Sequence, residues 1–295
     1  MPARLLAAAC LTAVSIPLAA QEFDDVKVER TADKLQFAEG PVWAHEGWLL
    51  FCDVPTNRLM KFVPGEGSQV YRENSNGALG NALDAQGRLY TCEARLRRVT
   101  RTDKKGKVEV IAEKFAGKRL NAPNDITVRH DNQVYFTDPA FGNQMDGREL
   151  DFFGVFHINP KGELAVVAKP KGRPNGITLS PNGKILYVAN SDEKKVYAYD
   201  LDKNGEASGE RVAISGIEGV PDGIRTDEKG NIYVAAKAVL IYTPEGKLIR
   251  RVPLQEKPSN LAFGDTDMQS LYVTARTSIY RLRLPVKGWD NRKAE

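Results

Sequence analysis

The sequence has few cysteines, few histidines and almost no excess of charge of one sign. Three cysteines in 295 residues exclude a fold held together mainly by disulfides. The 42 basic and 38 acidic side chains leave a net charge of +4, which is too small to indicate a nucleic-acid or polybasic membrane partner. Hydrophobic residues still make up 42% of the chain, so the protein can bury a sizeable core and is not intrinsically disordered.

Several catalytic motifs are also absent. The chain contains no G-x-S-x-G serine elbow and no H-E-x-x-H zinc motif, and no glycine-rich phosphate loop joins a strand to a helix. The three histidines are scattered: His45 and His130 lie in predicted turns, and His157 lies in a predicted strand. We therefore expect neither a histidine metal site nor a nucleotide cofactor.

The one long apolar run lies at the N-terminus, in residues 1–20. Arg4 precedes an apolar stretch that continues to Leu18, Ala20 ends it, and the next residues are abruptly polar. This layout is typical of a secretory signal peptide, and the run is short for a membrane span. We expect removal of residues 1–20 and export of residues 21–295 as one domain, periplasmic or secreted and not membrane-bound. A retained N-terminal anchor is the alternative.

A repeat organises the remaining chain. Six strand-like segments share one pattern and begin 40, 45, 52, 46 and 39 residues apart. They are Leu50 to Asp53, Tyr90 to Glu93, Tyr135 to Asp138, Tyr187 to Asn190, Tyr233 to Ala236 and Tyr272 to Ala275. A turn rich in glycine, asparagine or aspartate precedes most of them, as expected for hairpins. A period near 44 residues without helical periodicity indicates the blades of a β-propeller.

The repeat predicts an all-β, six-bladed propeller with four antiparallel strands in each blade. The last unit has only three clear strands, which end near Leu284. We expect the segment from Asp25 to Arg30 to supply the missing strand and close the ring, because closure removes two open sheet edges. A solenoid is the competing repeat fold, but its repeats are usually shorter.

Two cysteines remain in the mature chain, Cys52 and Cys92, at equivalent positions of adjacent units. An oxidising compartment would permit a disulfide. Equivalent inner-strand positions of neighbouring blades can be too far apart for that bond, so we expect buried free thiols.

Polar residues recur where the chain enters the first strand of each unit, which lines the central channel of a propeller. The entry pairs are Glu39-Gly40, Gly80-Asn81, Asn124-Asp125, Asn175-Gly176, Asp222-Gly223 and Asn260-Leu261. Glu39, Asn124, Asn175 and Asp222 should therefore converge on one end of the channel. Carboxylate and amide oxygens suit a hard divalent cation such as Ca²⁺, Mg²⁺ or Mn²⁺. The alternatives are that these residues only form turns or hold a purely structural ion.

The second strand of each blade returns to the same end of the channel. The residues that end these strands should therefore rim the pocket: Asp53, Glu93, Asp138 and Asn190. Among them we expect Asp138 and Asn190, together with Asn124, to bind the substrate.

At these positions the chain resembles the SMP-30/gluconolactonase/regucalcin-like propellers, and most of all their bacterial gluconolactonase branch. The similarity runs from about Phe37 to Leu284. The matching stretches are Ala38 to Trp43, Arg119 to Asp125, Tyr135 to Pro139, Arg173 to Ile177 and Val220 to Gly223.

The resemblance implies a divalent metal held by Glu39, Asn175 and Asp222. It further implies that Asp222 donates and accepts protons, and that Asn124 contacts the substrate or a water molecule at the metal. The expected ion is Ca²⁺, with Mg²⁺, Mn²⁺ or Zn²⁺ as alternatives.

The implied activity is the opening of sugar lactones, with the cation polarising the lactone and Asp222 as general acid and base. We expect a small-molecule sugar lactone as the only partner, no nucleic acid, and a monomer or weak dimer. One alternative is a related hydrolase for another lactone or a phosphotriester. The other is a non-catalytic propeller that binds a ligand or protein and carries a structural Ca²⁺.

Overall fold

The computed structural model describes residue 23, residues 25–290 and residue 292. Six four-stranded antiparallel sheets follow one another along these residues, and a two-stranded ribbon adds to them. The predicted six-bladed β-propeller is confirmed. The predicted signal peptide, residues 1–20, lies outside the described residues. Within the described part of the chain, no helix is long and apolar enough to cross a membrane.

Each of the first five blades takes its four strands in chain order, from the channel outwards. Blade 1 consists of β2 (Ala38–Ala44), β3 (Trp48–Asp53), β4 (Arg58–Val63) and β5 (Gly67–Arg72). Blade 2 consists of β6 (Ala78–Leu83), β7 (Leu89–Glu93), β8 (Arg98–Thr102) and β9 (Val108–Ala112). Blade 3 consists of β12 (Ile126–Val128), β13 (Val134–Asp138), β14 (Gly154–Ile158) and β15 (Leu164–Ala168). The ribbon β10 (Lys114–Phe115) and β11 (Lys118–Arg119) joins blades 2 and 3. All six segments of the repeat form second strands.

Blades 4 and 5 follow the same plan, and the sixth blade uses both ends of the chain. Its fourth strand is β1, which pairs antiparallel with β26. Blade 4 consists of β16 (Pro174–Leu179), β17 (Ile185–Asn190), β18 (Lys195–Leu201) and β19 (Ala207–Ile214). Blade 5 consists of β20 (Ile224–Thr226), β21 (Ile232–Ala235), β22 (Val239–Tyr242) and β23 (Leu248–Val252). Blade 6 consists of β24 (Asn260–Gly264), β25 (Ser270–Ala275), β26 (Ser278–Arg283) and β1 (Lys27–Ala32). The predicted closing strand therefore forms, two residues further along the chain than expected.

The core consists of six hydrophobic clusters, one between each pair of neighbouring blades. The cluster between blades 6 and 1 contains the rings of Trp43 and Tyr272, which stack with their centroids 5.2 Å apart. Stacked aromatic pairs add about 1 kcal/mol to the free energy of burying their area. Packing therefore closes the ring independently of β1.

The tyrosine at the start of several second strands stabilises the hairpin turn between the first and second strands of its blade. Its hydroxyl donates a hydrogen bond to the aspartate of the turn that precedes the strand. The pairs are Tyr90 with Asp84, Tyr233 with Asp227, and Tyr272 with Asp265, at 2.7–3.1 Å. Asp84 and Asp227 also accept hydrogen bonds from backbone amides of their own turns. The repeated residue types thus form one repeated turn.

The two ends of the channel differ. At one end, the C-terminal segment forms hydrogen bonds with blades 5, 6 and 1. The backbone N–H groups of Trp289 and Gly288 donate to the carbonyls of Thr226 in blade 5 and Met268 in blade 6. The guanidinium of Arg292 donates to the carbonyl of Trp43 in blade 1. Trp289 and Arg292 line a cavity of about 90 Å³ beneath this segment. The first strands begin at the opposite end, so the predicted column lies away from the segment.

Candidate functional site

The first strands of neighbouring blades lie close together at the channel axis, because a glycine follows several residues of the predicted column. Gly40 has a φ of +54°, and a Cβ atom there would lie 1.7 Å from the carbonyl oxygen of Leu79 in blade 2. A Cβ at Gly176 would lie 2.2 Å from the carbonyl oxygen of Asp222 in blade 5. Only glycine allows this approach. It brings the preceding side chains, Glu39 and Asn175, to the axis.

Hydrogen bonds between blades define the members of the column. The N–H of Gly80 donates to Asn124, as the N–H of Gly176 donates to Asp222 and that of Gly223 to Ser259. The column therefore comprises Glu39, Leu79, Asn124, Asn175, Asp222 and Ser259. The entry pairs predicted for blades 2 and 6, Gly80-Asn81 and Asn260-Leu261, are wrong by one residue.

The misplaced residues serve the packing between blades. The side-chain amide of Asn81 donates to the carbonyl of Gly40 and to Sγ of Cys52, and it is buried inside the ring. The side-chain oxygen of Asn260 accepts the N–H of Leu261 at 2.8 Å.

Glu39, Asn175 and Asp222 lie close together, and their role as metal ligands stays a prediction. The charges of Glu39 and Asp222 act on each other, and the side chain of Asn175 hydrogen-bonds to Asp222. The amide of Asn175 also donates to Oγ of Ser191 at 3.1 Å, and this hydroxyl donates to the carbonyl of Pro221 at 2.8 Å. Ser191 thus fixes Asn175 against the chain that carries Asp222.

The two carboxylates lie in a region that disfavours negative charge. Burial raises the pKa of Glu39 well above its usual value, and the charge of Asp222 raises it further. Burial also raises the pKa of Asp222 to about 7, although the charges of Lys257 and Arg276 oppose this rise. Like charges brought together without compensation destabilise each other.

Asn124 occupies its predicted place in the column. Its backbone N–H donates to Thr137 at 2.8 Å and its carbonyl accepts the N–H of Gly80 at 2.7 Å. Its side chain is partly exposed and has no hydrogen bond to another described residue. The amide therefore remains available at the axis.

Two further polar residues at the axis were not predicted as site residues. Asp125 is fully buried, accepts the N–H groups of Ile126 and Ile177, and lies 3.5 Å from the guanidinium of Arg225. Asn260 hydrogen-bonds to the carboxylate of Glu39. The sequence offered one signal for Asp125: a carboxylate stands where four of the other blades have glycine.

The residues that end the second strands hold loops in place. Asp53 accepts the N–H groups of Gln36 and Phe37 at 3.0 and 2.9 Å. The carboxylate of Asp138 accepts the N–H groups of Asn121 and Ala122 at 2.7 and 2.8 Å. Each aspartate thus anchors the chain that leads into the first strand of its own blade.

The equivalent residues of blades 2 and 4 are also hydrogen-bonded, but to different kinds of partner. Glu93 accepts hydrogen bonds from the side chains of Asn76 and Arg98, and Asn190 exchanges two hydrogen bonds with Glu193. Asp138 and Asn190 are buried, and burial raises the pKa of Asp138 to about 7. Their predicted contact with substrate stays a prediction, whereas their part in anchoring loops is visible.

The donor set at the axis fits a divalent cation. In the described part of the chain, no three histidine, cysteine, aspartate or glutamate side chains form a metal cluster by themselves. The set therefore requires amide oxygen as well: Glu39 and Asp222 with Asn175. The negative charges of Glu39 and Asp222 would be stabilised by an adjacent divalent cation, and all-oxygen sets suit Ca²⁺ and Mg²⁺.

Cys52 and Cys92 are buried free thiols, as expected. Sγ of Cys52 lies 3.1 Å from the carbonyl oxygen of Leu79, and burial raises the pKa of Cys52 to about 12. Both therefore pack as small apolar side chains between blades.

A six-bladed propeller with acidic and amide side chains at one end of its channel is a known class of protein. The model of the SMP-30/Gluconolactonase/LRE-like region matches residues 37–277. The chain belongs to this family, and the resemblance deduced from its motifs is confirmed.

Three characterised proteins illustrate the similarity. A gluconolactonase from Zymomonas mobilis is 31% identical over 88% of this chain and 82% of its own. The pentonolactonase XacC from Haloferax volcanii is 26% identical over 84% of each chain. The solved structure of a gluconolactonase from Xanthomonas campestris has a TM-score of 0.84 and 28% identity, and the match covers 92% of this chain and 93% of that one.

Proposed function

We propose that the protein hydrolyses sugar lactones at the Glu39, Asn175 and Asp222 site. The observation that carries the proposal is the meeting of two carboxylates and an amide from blades 1, 5 and 4 at the end of the channel where the first strands begin. The names of the related proteins, gluconolactonase and pentonolactonase, support lactones as the substrate class.

Glu39, Asn175 and Asp222 would hold a divalent cation, Ca²⁺ in the first instance, with Mg²⁺, Mn²⁺ or Zn²⁺ as alternatives. When bound, such an ion supplies positive charge that polarises a carbonyl group. Glu39 is buried, and its Oε2 accepts the N–H of Gly40 at 2.9 Å, so the chain holds its carboxylate in place.

Asp222 moves the proton. It is the partly exposed carboxylate of the pair, so a water molecule and the lactone can reach it. Asp222 accepts a proton from water as the water oxygen bonds to the lactone carbonyl carbon. It returns the proton to the ring oxygen as the bond between carbonyl carbon and ring oxygen breaks, which yields the free acid and a hydroxyl group. The exposed amide of Asn124 orients the substrate beside it.

The proposal is tested by following acid release from glucono-1,5-lactone in a pH-stat, with each of the four cations supplied separately. We expect Asp222→Asn and Glu39→Gln to lower kcat about 100-fold or more, because each removes a group that acts on the reacting atoms or their ion. Asp200→Asn is the matched control: this carboxylate pairs with Arg211 on the outer part of blade 4. We expect it to leave kcat within about twofold.

Thermal unfolding of each variant shows whether the fold is retained. Full activity in folded Asp222→Asn or Glu39→Gln protein would contradict the residue assignment. Failure of the wild-type protein to open any lactone with any of the cations would favour a non-catalytic propeller with a structural ion. Turnover of a phosphotriester in preference to lactones would assign the same site to a different hydrolase.

A further inference from the structure

A second feature of the site face is a pocket of about 360 Å³ above blade 2. Its lining includes Leu79, Arg95, Arg97, Asn121, Asn143 and Gln144. Asn143 and Gln144 belong to residues 139–153, the long connection between β13 and β14. This connection explains why blades 3 and 4 are spaced 52 residues apart, the widest interval of the repeat.

The pocket shares one residue, Leu79, with the column. Leu79 is the column residue of blade 2, between Glu39 of blade 1 and Asn124 of blade 3. An aliphatic side chain cannot bind a cation, so blade 2 contributes space and an apolar surface instead of a ligand. Leu79 therefore borders both the column and the pocket.

The pocket carries positive charge. Its charged lining residues are Arg95 and Arg97, and no carboxylate of the described residues lines it. The guanidinium of Arg97 is occupied, because it donates to the carbonyls of Gly147 and Asp146 at 2.7 and 2.9 Å and fixes the pocket wall. Arg95 is exposed and forms no ion pair within the described residues. The pocket thus offers one unpaired guanidinium.

The wall also contains a buried polar atom without a partner. Asn121 is fully buried, and its amide nitrogen donates to the carbonyls of Asp138 and Phe152 at 3.0 and 2.9 Å. Its Oδ1 has no hydrogen-bond partner in the described structure. Buried side-chain oxygens are nearly always bonded, so this atom favours a ligand that brings a hydroxyl group to the wall.

We propose that the preferred substrate is a polyhydroxy lactone that carries a second anionic group, and that Arg95 binds this group. A carboxylate, phosphate or sulfonate at the carbon farthest from the lactone carbonyl fits an unpaired guanidinium, which forms charge-assisted hydrogen bonds with all three. The inference rests on the proposed lactonase function and names the substrate class of the same site.

The test compares kcat/KM for three lactones: glucono-1,5-lactone, the same lactone with a phosphate on C6, and the same lactone with C6 as a carboxylate. We expect the wild-type protein to prefer the anionic lactones. Arg95→Gln should lower kcat/KM for them about tenfold or more and leave the neutral lactone within about twofold. Arg95→Lys should retain part of the preference, because it retains the charge. Raising the ionic strength should weaken the preference, since the residue is exposed.

Arg211→Gln is the matched control, because it removes the same charge from the outer part of blade 4; it should change none of the three values. Equal losses for neutral and anionic lactones in Arg95→Gln, or no loss for either, would overturn the inference. So would a wild-type preference for the neutral lactone, which would leave the proposed lactonase function intact. Failure to open any of the three lactones would instead contradict the lactonase function itself.

Discussion

At the scale of single residues, His157 shows how the ring accommodates a buried ionisable group away from the site. Its Nε2 lies 2.6 Å from Oε1 of Gln133, and its ring stacks on Tyr135 with the centroids 4.8 Å apart. Burial lowers the pKa of His157. The sequence correctly predicted a strand at His157. Its partner, Gln133, lies 24 residues earlier in the chain, so the spacing of residues could not predict the contact.

This pKa shift predicts a stability that depends on pH. An unfolded histidine titrates near pH 6.5, so the unfolded state binds more protons than the folded state as the pH falls through this value. The contribution of His157 is therefore present above about pH 6.5 and is lost as the pH falls towards its lowered folded pKa. Urea unfolding measures the free energy of unfolding at pH 8 and at pH 5. We expect the difference between these two values to be smaller in His157→Gln than in the wild-type protein.

The control for this measurement is the exposed His130, since His130→Gln should leave the pH difference unchanged. An unaltered pH difference in His157→Gln would show that protonation of His157 does not contribute.

At the scale of strands and loops, a single acidic residue fixes the entry to each of several first strands. In blade 1, Asp53 at the end of β3 binds the backbone N–H groups of Gln36 and Phe37, just before the strand that carries Glu39. The sequence predicted the strand and the end of the channel at which Asp53 lies. It assigned the residue to the pocket rim because the conformation of a loop 17 residues away is not encoded in a local pattern.

Removal of this anchor should affect stability and activity together. We expect Asp53→Ala to lower the free energy of unfolding by about 2 kcal/mol, because two backbone donors lose a charged acceptor. It should also reduce kcat/KM for lactone, because the segment before Glu39 loses its support. Urea unfolding and the lactone assay measure the two effects.

Asp33→Ala is a suitable comparison, since Asp33 forms only a half-exposed pair with Arg30 at 4.0 Å. Its cost should stay within about 0.5 kcal/mol. Equal stability of Asp53→Ala and Asp33→Ala would contradict the proposed anchoring.

The register of the first strands illustrates a limit of pattern analysis at the same scale. Gly80-Asn81 and Asn260-Leu261 contain the residue types of the other entry pairs, and residue type alone predicts a register that is wrong by one residue. The hydrogen bonds of Gly80 and Ser259 with neighbouring blades set the true register. The one-residue difference places Leu79 and Ser259 in the column instead of Gly80 and Asn260.

At the scale of the whole molecule, the repeat length, the strand types and the closure by β1 were all deduced from the sequence. A repeated unit buries its apolar faces only against its neighbours, and the four-strand repeat favours the blades of a propeller over a solenoid. The path of residues 139–153 and the C-terminal segment could not be deduced, because neither belongs to the repeat. Both shape the channel, the first beside the pocket and the second at the opposite end.

The central claim is that one ion connects blades 1, 4 and 5 through Glu39, Asn175 and Asp222. It is tested most directly by calorimetric titration of Ca²⁺ into protein first treated with EDTA. The account predicts binding of one ion per chain in the wild-type protein and in Asp200→Asn, and loss of this binding in folded Glu39→Gln and Asp222→Asn. Unchanged binding in these two variants, or no binding of Ca²⁺, Mg²⁺, Mn²⁺ or Zn²⁺ by the wild-type protein, would contradict it.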